Sequence, residues 1–314
     1  WTYVPGLQVP RQPGDVMVES WLREVLVKLN PEIAAQPDRA DEVIYALRAT
    51  VLSVAGDGLV RANENFMAWL RGEKTMPFGR NGEHVSVRLV DAVQPANNRL
   101  TVVNQWTFQA GTVTKRFDVV FVVNGLPMVI GEAKTPTRSA VTWFDGAFQV
   151  NEIYERQVPA MFVPNVFSFA TEGKAFRFGS IRMPIEMWSP WRTRENEPEG
   201  SLADVRRSVE SMLRPEVVLD ILQSFTLFAT DKKHRRIKVI CRYQQYFTTN
   251  QLIDRVVKGY PKKGLIWHFQ GSGKSLLMVF AAQKLWLHPQ LGNPTVIIVV
   301  DRIDLDTQIT ATCN

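Results

Sequence analysis

Near the start of the chain, apolar residues recur three times at helical spacing. Between Asp15 and Leu29 they fall at Val18, Trp21, Leu22, Val25, Leu26 and Leu29, the stripe of one buried helix face, and Asn30-Pro31 ends it. Val43, Ile44, Leu47, Val51 and Leu52 predict a second helix, and Leu59, Ala62, Phe66, Trp69 and Leu70 a third. Beyond the glycines of 72–82 the pattern changes to that of strands. His84–Asp91, Leu100–Gln109, Arg116–Val123 and Pro127–Lys134 are rich in β-branched residues, with Asn124-Gly125 as a hairpin signal between the last two. Ala140–Arg156 predicts a helix, and Val166–Ala170 with Ala175–Gly179 a second hairpin. Helices, strands, helix, strands make an α+β or α/β unit of about 180 residues.

Ser189–Gly200 is charged and proline-bearing and reads as a linker. Helices are expected over Leu202–Leu213 and Pro215–Thr230, a strand over Ile237–Cys241 and a helix over Gln245–Val257. A strand at Gly264–His268, a glycine loop, a helix at Ser275–Leu287 and a strand at Thr295–Val300 then form a βαβ unit with a parallel pair. The 314 residues suit two domains.

Composition adds little and excludes some classes. The formal charge of +6 fits weak attraction to phosphate but does not identify a nucleic-acid partner. Cys241 and Cys313 are too few for a zinc or disulfide framework and suit a reducing cytoplasm. No run of apolar residues is long enough to span a membrane. The chain opens on Trp1 without a signal-peptide pattern, so its native start is expected upstream.

Candidate chemistry lies first at Asp118, Glu132 and Lys134. Two carboxylates on neighbouring strands can form an oxygen site for Mg²⁺, which polarises a phosphodiester and lowers the pKa of bound water. Lys134, two residues beyond Glu132, shares its strand face. The other reading is a set of ordinary strand-end ion pairs, because Glu-x-Lys alone is common. Geometry makes a demand here. With a two-residue Asn124-Gly125 loop, Asp118 pairs with Gly131 and Glu132 faces away. A shared metal site needs an odd loop or a bulge, which Gly125 and Gly131 permit.

The second constellation is Gly271-Ser272-Gly273-Lys274-Ser275, between an expected strand and an expected helix. That context suits a phosphate-binding loop: glycines let backbone N–H groups converge, Lys274 reaches the β/γ-phosphates and Ser275 binds Mg²⁺. His268 stands where the fuller motif has its first glycine. Lys232–Arg236 reads as a solvated basic loop in preference to a phosphate contact, and Trp188 and Trp191 as packing residues. None of the four histidines has a metal-site partner at close spacing.

These pieces together resemble the restriction (R, or HsdR) subunit of type I restriction–modification enzymes, over nearly the whole chain. The resemblance is carried by Leu29-Asn30-Pro31, Asn104-Gln105, Asp118 with Asn124-Gly125-Leu126-Pro127, and Glu132-Ala133-Lys134. His268-Phe269-Gln270-Gly271-Ser272-Gly273-Lys274-Ser275, Val300-Asp301-Arg302 and Leu305-Asp306-x-Gln308 continue it. It implies an α/β fold with a PD-(D/E)xK nuclease domain over residues 1–190, a linker at 191–200, and the first part of a RecA-like superfamily 2 helicase domain over 201–314. Asp118, Glu132 and Lys134 take the nuclease roles, with Glu19 as an accessory acid. Gln245 takes the adenine-reading role. Gln270, Gly271, Ser272, Gly273, Lys274 and Ser275 form the Walker A loop, and Asp118, Glu132 and Ser275 are the metal ligands.

The implied cofactors are Mg²⁺ and ATP. The implied partners are double-stranded DNA and the methylation and specificity subunits, in the cytoplasm and with no membrane. Departures from the family pattern are Phe117 in place of a proline, and Gln149 and Tyr154, one residue too far apart for the Gln-x-x-x-Tyr pair; Val150 sits where the glutamine is expected. No acidic Walker B motif follows Asp301, so these residues alone are not expected to turn over ATP. The rival readings are a stand-alone helicase–nuclease of phage defence or DNA repair, and a degenerate nuclease fold serving as a DNA-binding or docking module.

Overall fold

The first helix ends where its chemistry says it should. In the structure, a computed structural model that describes residues 1–137, 140–194, 196–231, 233–269 and 271–299, the Asn30 side chain donates to the carbonyls of Leu26 and Arg88, each at 2.9 Å. Pro31 then opens a short separate helix. Helix α1 (Glu19–Leu29) starts later than the apolar pattern predicts. The Val18 N–H is already bonded to the Gly125 carbonyl at 2.8 Å, which holds the preceding residues outside the helix. Helices α2 (Arg39–Leu52) and α3 (Leu59–Leu70) follow as the pattern predicts.

A six-stranded mixed sheet forms the centre, its strands adjacent in chain order. They are β1 (Thr2–Pro5), β2 (Leu100–Ala110), β3 (Val113–Val123), β4 (Leu126–Ala133), β5 (Phe167–Thr171) and β6 (Phe176–Gly179). β1 runs parallel to β2, β4 runs parallel to β5, and the other neighbours are antiparallel. The four-residue β1 carries no periodic signal and is missed by pattern reading. The stretch His84–Asp91, expected as a strand, forms only the two-residue pairing of Val85–Ser86 with Thr75–Met76.

The β3–β4 turn is a two-residue hairpin with φ of 54° at Asn124 and 86° at Gly125, the left-handed pair that suits the twist of the flanking strands. Glycine is required at 125, because a Cβ there would lie 2.3 Å from the Val18 carbonyl oxygen. Helix α4 (Trp143–Phe148) follows the central strands and packs on β4 and β5. It runs into a π-helical turn over Gln149–Tyr154.

Of the described residues in the stretch 191–200, expected to be a linker, most are exposed, while Trp191 and Glu197 are buried. Trp191 is fully buried, with its ring 5.6 Å from Phe178 and 5.2 Å from Tyr246. A side chain with that much apolar surface is not left in solvent when two aromatic neighbours can cover it. Beyond it lie α5 (Leu202–Met212) and α6 (Pro215–Ser224). The helix expected over Pro215–Thr230 stops at Ser224, and Thr226–Thr230 (β7) pairs with Arg236–Ile240 (β8) as a hairpin. That hairpin docks on the first unit. Lys238 is buried and donates to the Asn165 carbonyl at 2.6 Å, and Arg236 pairs with Glu64 at 2.5 Å.

Helices α7 (Tyr243–Lys258) and α8 (Lys274–Trp286) form as expected and pack on each other. The strands expected at Gly264–His268 and Thr295–Val300 do not form among the described residues, and the βαβ unit is absent there. Trp267 and Val299 are each 87% exposed. A strand apolar on both faces needs neighbours that cover both, and no described strand pairs with either stretch. Val300 and the motif over Asp301–Gln308 lie outside the described residues.

Candidate active site

Asp118 and Glu132 come together because β4 contains one extra residue. Val123 pairs with Leu126 and Val122 with Pro127, but Phe121 pairs with Val129 and Val119 with Gly131. The register shift is a bulge at Met128, and it places Glu132 directly opposite Asp118. Without it, Gly131 would hold that position and Glu132 would face away. Gly131 is itself constrained, since a Cβ there would lie 2.1 Å from the Phe169 ring.

The cluster lines a pocket of about 580 Å³ with Thr114, Lys115, Arg116, Gln149 and Tyr154. Lys134 donates to Glu132 Oε1 at 2.8 Å and to Gln149 Oε1 at 2.5 Å. Gln149 Nε2 in turn bonds the Tyr154 hydroxyl, which donates to the Arg116 carbonyl at 3.2 Å. Asp118 accepts from Gln105 Nε2 at 3.3 Å and from the Ala133 N–H at 3.1 Å. Glu132 is only 2% exposed, and its Oε2 is buried without a hydrogen-bond partner. Burial pushes its carboxyl up to about 7 against the opposing Lys134 hydrogen bond, and the neighbouring Asp118 adds to the rise. Burial also raises the Tyr154 phenol.

This donor set fits a hard cation. Two carboxylates face one pocket, and one buried carboxylate oxygen has no protein partner. Among the described residues no three His, Cys, Asp or Glu side chains cluster. That composition suits Mg²⁺, which commonly keeps several waters and takes only one or two carboxylates.

Glu19 is not part of this group. It lies at the turn end of the β3–β4 hairpin, next to the Val18–Gly125 backbone bond, and its carboxylate is taken by Arg48. Asp118 lies six residues down β3 from Asn124, roughly 20 Å at about 3.3 Å per residue. The structure therefore does not bring Glu19 together with Asp118, Glu132 and Lys134: the hairpin turn pins the start of α1 away from the pocket.

The glycine loop stands at the start of α8. Gly271 and Gly273 have φ of 85° and 81°, and Gly273 caps the helix. Lys274 is folded onto its own loop, donating to the carbonyls of His268 at 3.0 Å and Phe269 at 3.2 Å. Gln245, buried on α7, touches the same loop through a 3.0 Å bond to the Gly273 carbonyl. Ser272 is buried with an unpartnered hydroxyl, and Ser275 follows in the first turn of α8. Gln270 lies outside the described residues.

Residues 1–184 match the family model described as type I restriction enzyme R protein N terminus. The chain belongs to that family. Residues 244–314 match the model of the SWI2/SNF2 ATPase. The type I restriction enzyme HindI endonuclease subunit of Haemophilus influenzae is 33% identical over 98% of this chain and 30% of its own length. The type I restriction enzyme SauMSSORF170P endonuclease subunit of Staphylococcus aureus is 26% identical over 74% of this chain and 24% of its own length. The chain thus spans less than a third of the length of either relative.

The structure also brings together a pair that helical spacing keeps apart. Gln149 and Tyr154 are five residues apart, one too many to meet on an α-helix. The π-helical turn over Gln149–Tyr154 absorbs the extra residue, and the two side chains bond each other. The signal in the sequence is the family's Gln-x-x-x-Tyr pair, which Gln149 and Tyr154 miss by one residue.

Proposed function

We propose that this chain carries the nuclease centre, and the start of the ATP-driven motor, of a type I restriction subunit. Residues 1–190 form the PD-(D/E)xK nuclease domain. Residues 201–314 form the first part of the RecA-like superfamily 2 motor, which holds the ATPase match and docks onto the nuclease domain through Lys238 and Arg236. The observation that carries the nuclease reading is the bulge that sets Asp118 opposite Glu132 while leaving Glu132 Oε2 buried and unpartnered.

Asp118 and Glu132 would hold Mg²⁺, which supplies a nucleophile by lowering the pKa of its water and stabilises charge on the phosphodiester. Glu132 would bind it as the carboxylate, the form that burial disfavours when no cation is bound. Lys134, held between Glu132 and Gln149, orients the attacking water or steadies the phosphate charge. Gln149 and Tyr154 fix the lysine ammonium from the other side. At the motor, Lys274, which now donates to the carbonyls of His268 and Phe269, would bind the β/γ-phosphates of ATP, Ser275 would hold the accompanying Mg²⁺ and Gln245 would read the adenine. The substrate is double-stranded DNA, and the methylation and specificity subunits supply recognition, in the cytoplasm. Among the described residues no helix is long and apolar enough to cross a membrane.

The test is a dissociation in the intact subunit assembled with its partners. Asp118→Ala should abolish plasmid cleavage and leave DNA-stimulated ATP hydrolysis at the wild-type rate. Lys274→Ala should remove both hydrolysis and the cleavage that depends on it. Cleavage surviving in Asp118→Ala would point to a degenerate fold that only binds or docks.

A further inference from the structure

One exposed residue beside the pocket has a left-handed backbone in mid-strand. Gln105 lies in the middle of β2, in line with Asp118, between the paired positions Asn104–Val119 and Trp106–Phe117. The ladder skips it, because its φ is 53°. A long side chain in that conformation is uncommon, and in mid-strand it costs both strain and pairing. The side chain is exposed, so burial does not offset that cost. Among the described residues its side chain makes one hydrogen bond, from Nε2 to Asp118 Oδ1 at 3.3 Å. The kink is held from the far side by Gly6, where a Cβ would lie 2.6 Å from the carbonyl oxygens of both Asn104 and Gln105. Gly6 directly follows Pro5, which pairs with Asn104 at the end of β1. The N-terminal strand therefore presses the Gln105 peptide into place.

We propose that Gln105 is a positioning residue for the nuclease centre, its carboxamide and the Ala133 N–H together setting the plane of the Asp118 carboxylate. Each oxygen of Asp118 has one donor from the chain, Gln105 on Oδ1 and Ala133 on Oδ2. A carboxylate offers about four acceptor sites, so this arrangement leaves lone pairs for a cation while removing rotation about the last bond. Residues that orient a metal ligand in this way typically change metal affinity or activity by about 10–100-fold when removed. The inference rests on the reading of Asp118 and Glu132 as the metal ligands.

The informative variant is Gln105→Gly, which accepts a positive φ without strain but loses the amide. In the intact subunit with its partners, single-turnover plasmid cleavage is followed across a Mg²⁺ titration, beside thermal unfolding and ATP hydrolysis. The expected result is a Mg²⁺ requirement raised about 10-fold, an unfolding midpoint equal to or above wild type, and unchanged ATP hydrolysis. Gln105→Asn, which also tolerates positive φ and keeps an amide, should recover part of the Mg²⁺ dependence, and Gly6→Ala should raise the requirement without touching the glutamine. A wild-type Mg²⁺ dependence in Gln105→Gly overturns the proposal. So does a lowered unfolding midpoint in both Gln105→Gly and Gln105→Asn, which would make the residue structural. Asp118→Ala in parallel separates the two failures, because cleavage surviving there would defeat the nuclease reading itself, whatever Gln105 does.

Discussion

Replacing Glu132 by Gln should change how stability depends on pH, by an amount the structure sets. Burial raises the Glu132 carboxyl from its ordinary value of 4.5 to about 7. In the folded chain it keeps its proton to about pH 7, and in the unfolded chain it loses it near 4.5. Between those values the unfolded state binds fewer protons, so stability is highest below 4.5 and falls as pH rises through about 7. At about 1.4 kcal/mol per pH unit the loss is about 3 kcal/mol. Glu155, pushed to about 8 by burial, contributes a fall of the same sign. Gln at 132 cannot titrate, so the difference between wild type and Glu132→Gln isolates one carboxyl. Urea denaturation in EDTA should show wild type losing about 3 kcal/mol relative to the variant between about pH 4.5 and 7. Saturating Mg²⁺ at about pH 8 should return that stability to wild type alone, because the cation takes up the charge that burial disfavours. A difference that stays flat with pH, or a Mg²⁺ effect equal in both proteins, would refute the picture of a buried carboxylate awaiting a cation.

Other substitutions test the frame around the site. Trp191→Ala removes a fully buried ring that bridges Phe178 and Tyr246, and should cost about 3–5 kcal/mol by denaturation; a loss below about 1 kcal/mol would show that this ring does not hold the two elements together. Gly131→Ala drives a methyl into the Phe169 ring and should cost about 1–3 kcal/mol and impair cleavage, with Phe169→Ala in the same chain recovering part of both. Gly273→Ala meets Gln245 Nε2 at 2.4 Å with φ at 81°. It should weaken ATP binding in the intact subunit by equilibrium titration, and unchanged affinity would remove Gln245 and this loop from the nucleotide site.

The helices and central strands are legible in the sequence because each has one apolar periodicity sustained over several turns or residues. Asp118 and Glu132 are legible as charges bordering an apolar run. Their shared face is not, since a single uncounted residue, Met128, decides which way Glu132 turns. Parity arithmetic showed that a bulge was needed without saying where it would fall. The same one-residue sensitivity hid Gln149 and Tyr154, which α-helical spacing keeps apart and a π-turn joins. Trp191 reads as a packing residue and is buried between Phe178 and Tyr246, although the charged, proline-bearing residues after it are mostly exposed; composition describes neighbours in sequence and not the rings that cover one of them. Gly264–His268 has the apolar content of a parallel strand, but strand formation depends on partners that local sequence does not contain. Glu19 was placed by resemblance, and the contact of Val18 with the hairpin turn puts it elsewhere.

The most direct test is to locate the metal itself. Crystals of the chain soaked with Mn²⁺, as a substitute for Mg²⁺ with an anomalous signal, should show one peak between Asp118 and Glu132, roughly 2.0–2.2 Å from an oxygen of each, with Glu132 Oε2 among its ligands. A peak elsewhere, or none while Glu132 Oε2 stays unpartnered at saturating Mn²⁺, would contradict the assignment of this cluster as the cutting site.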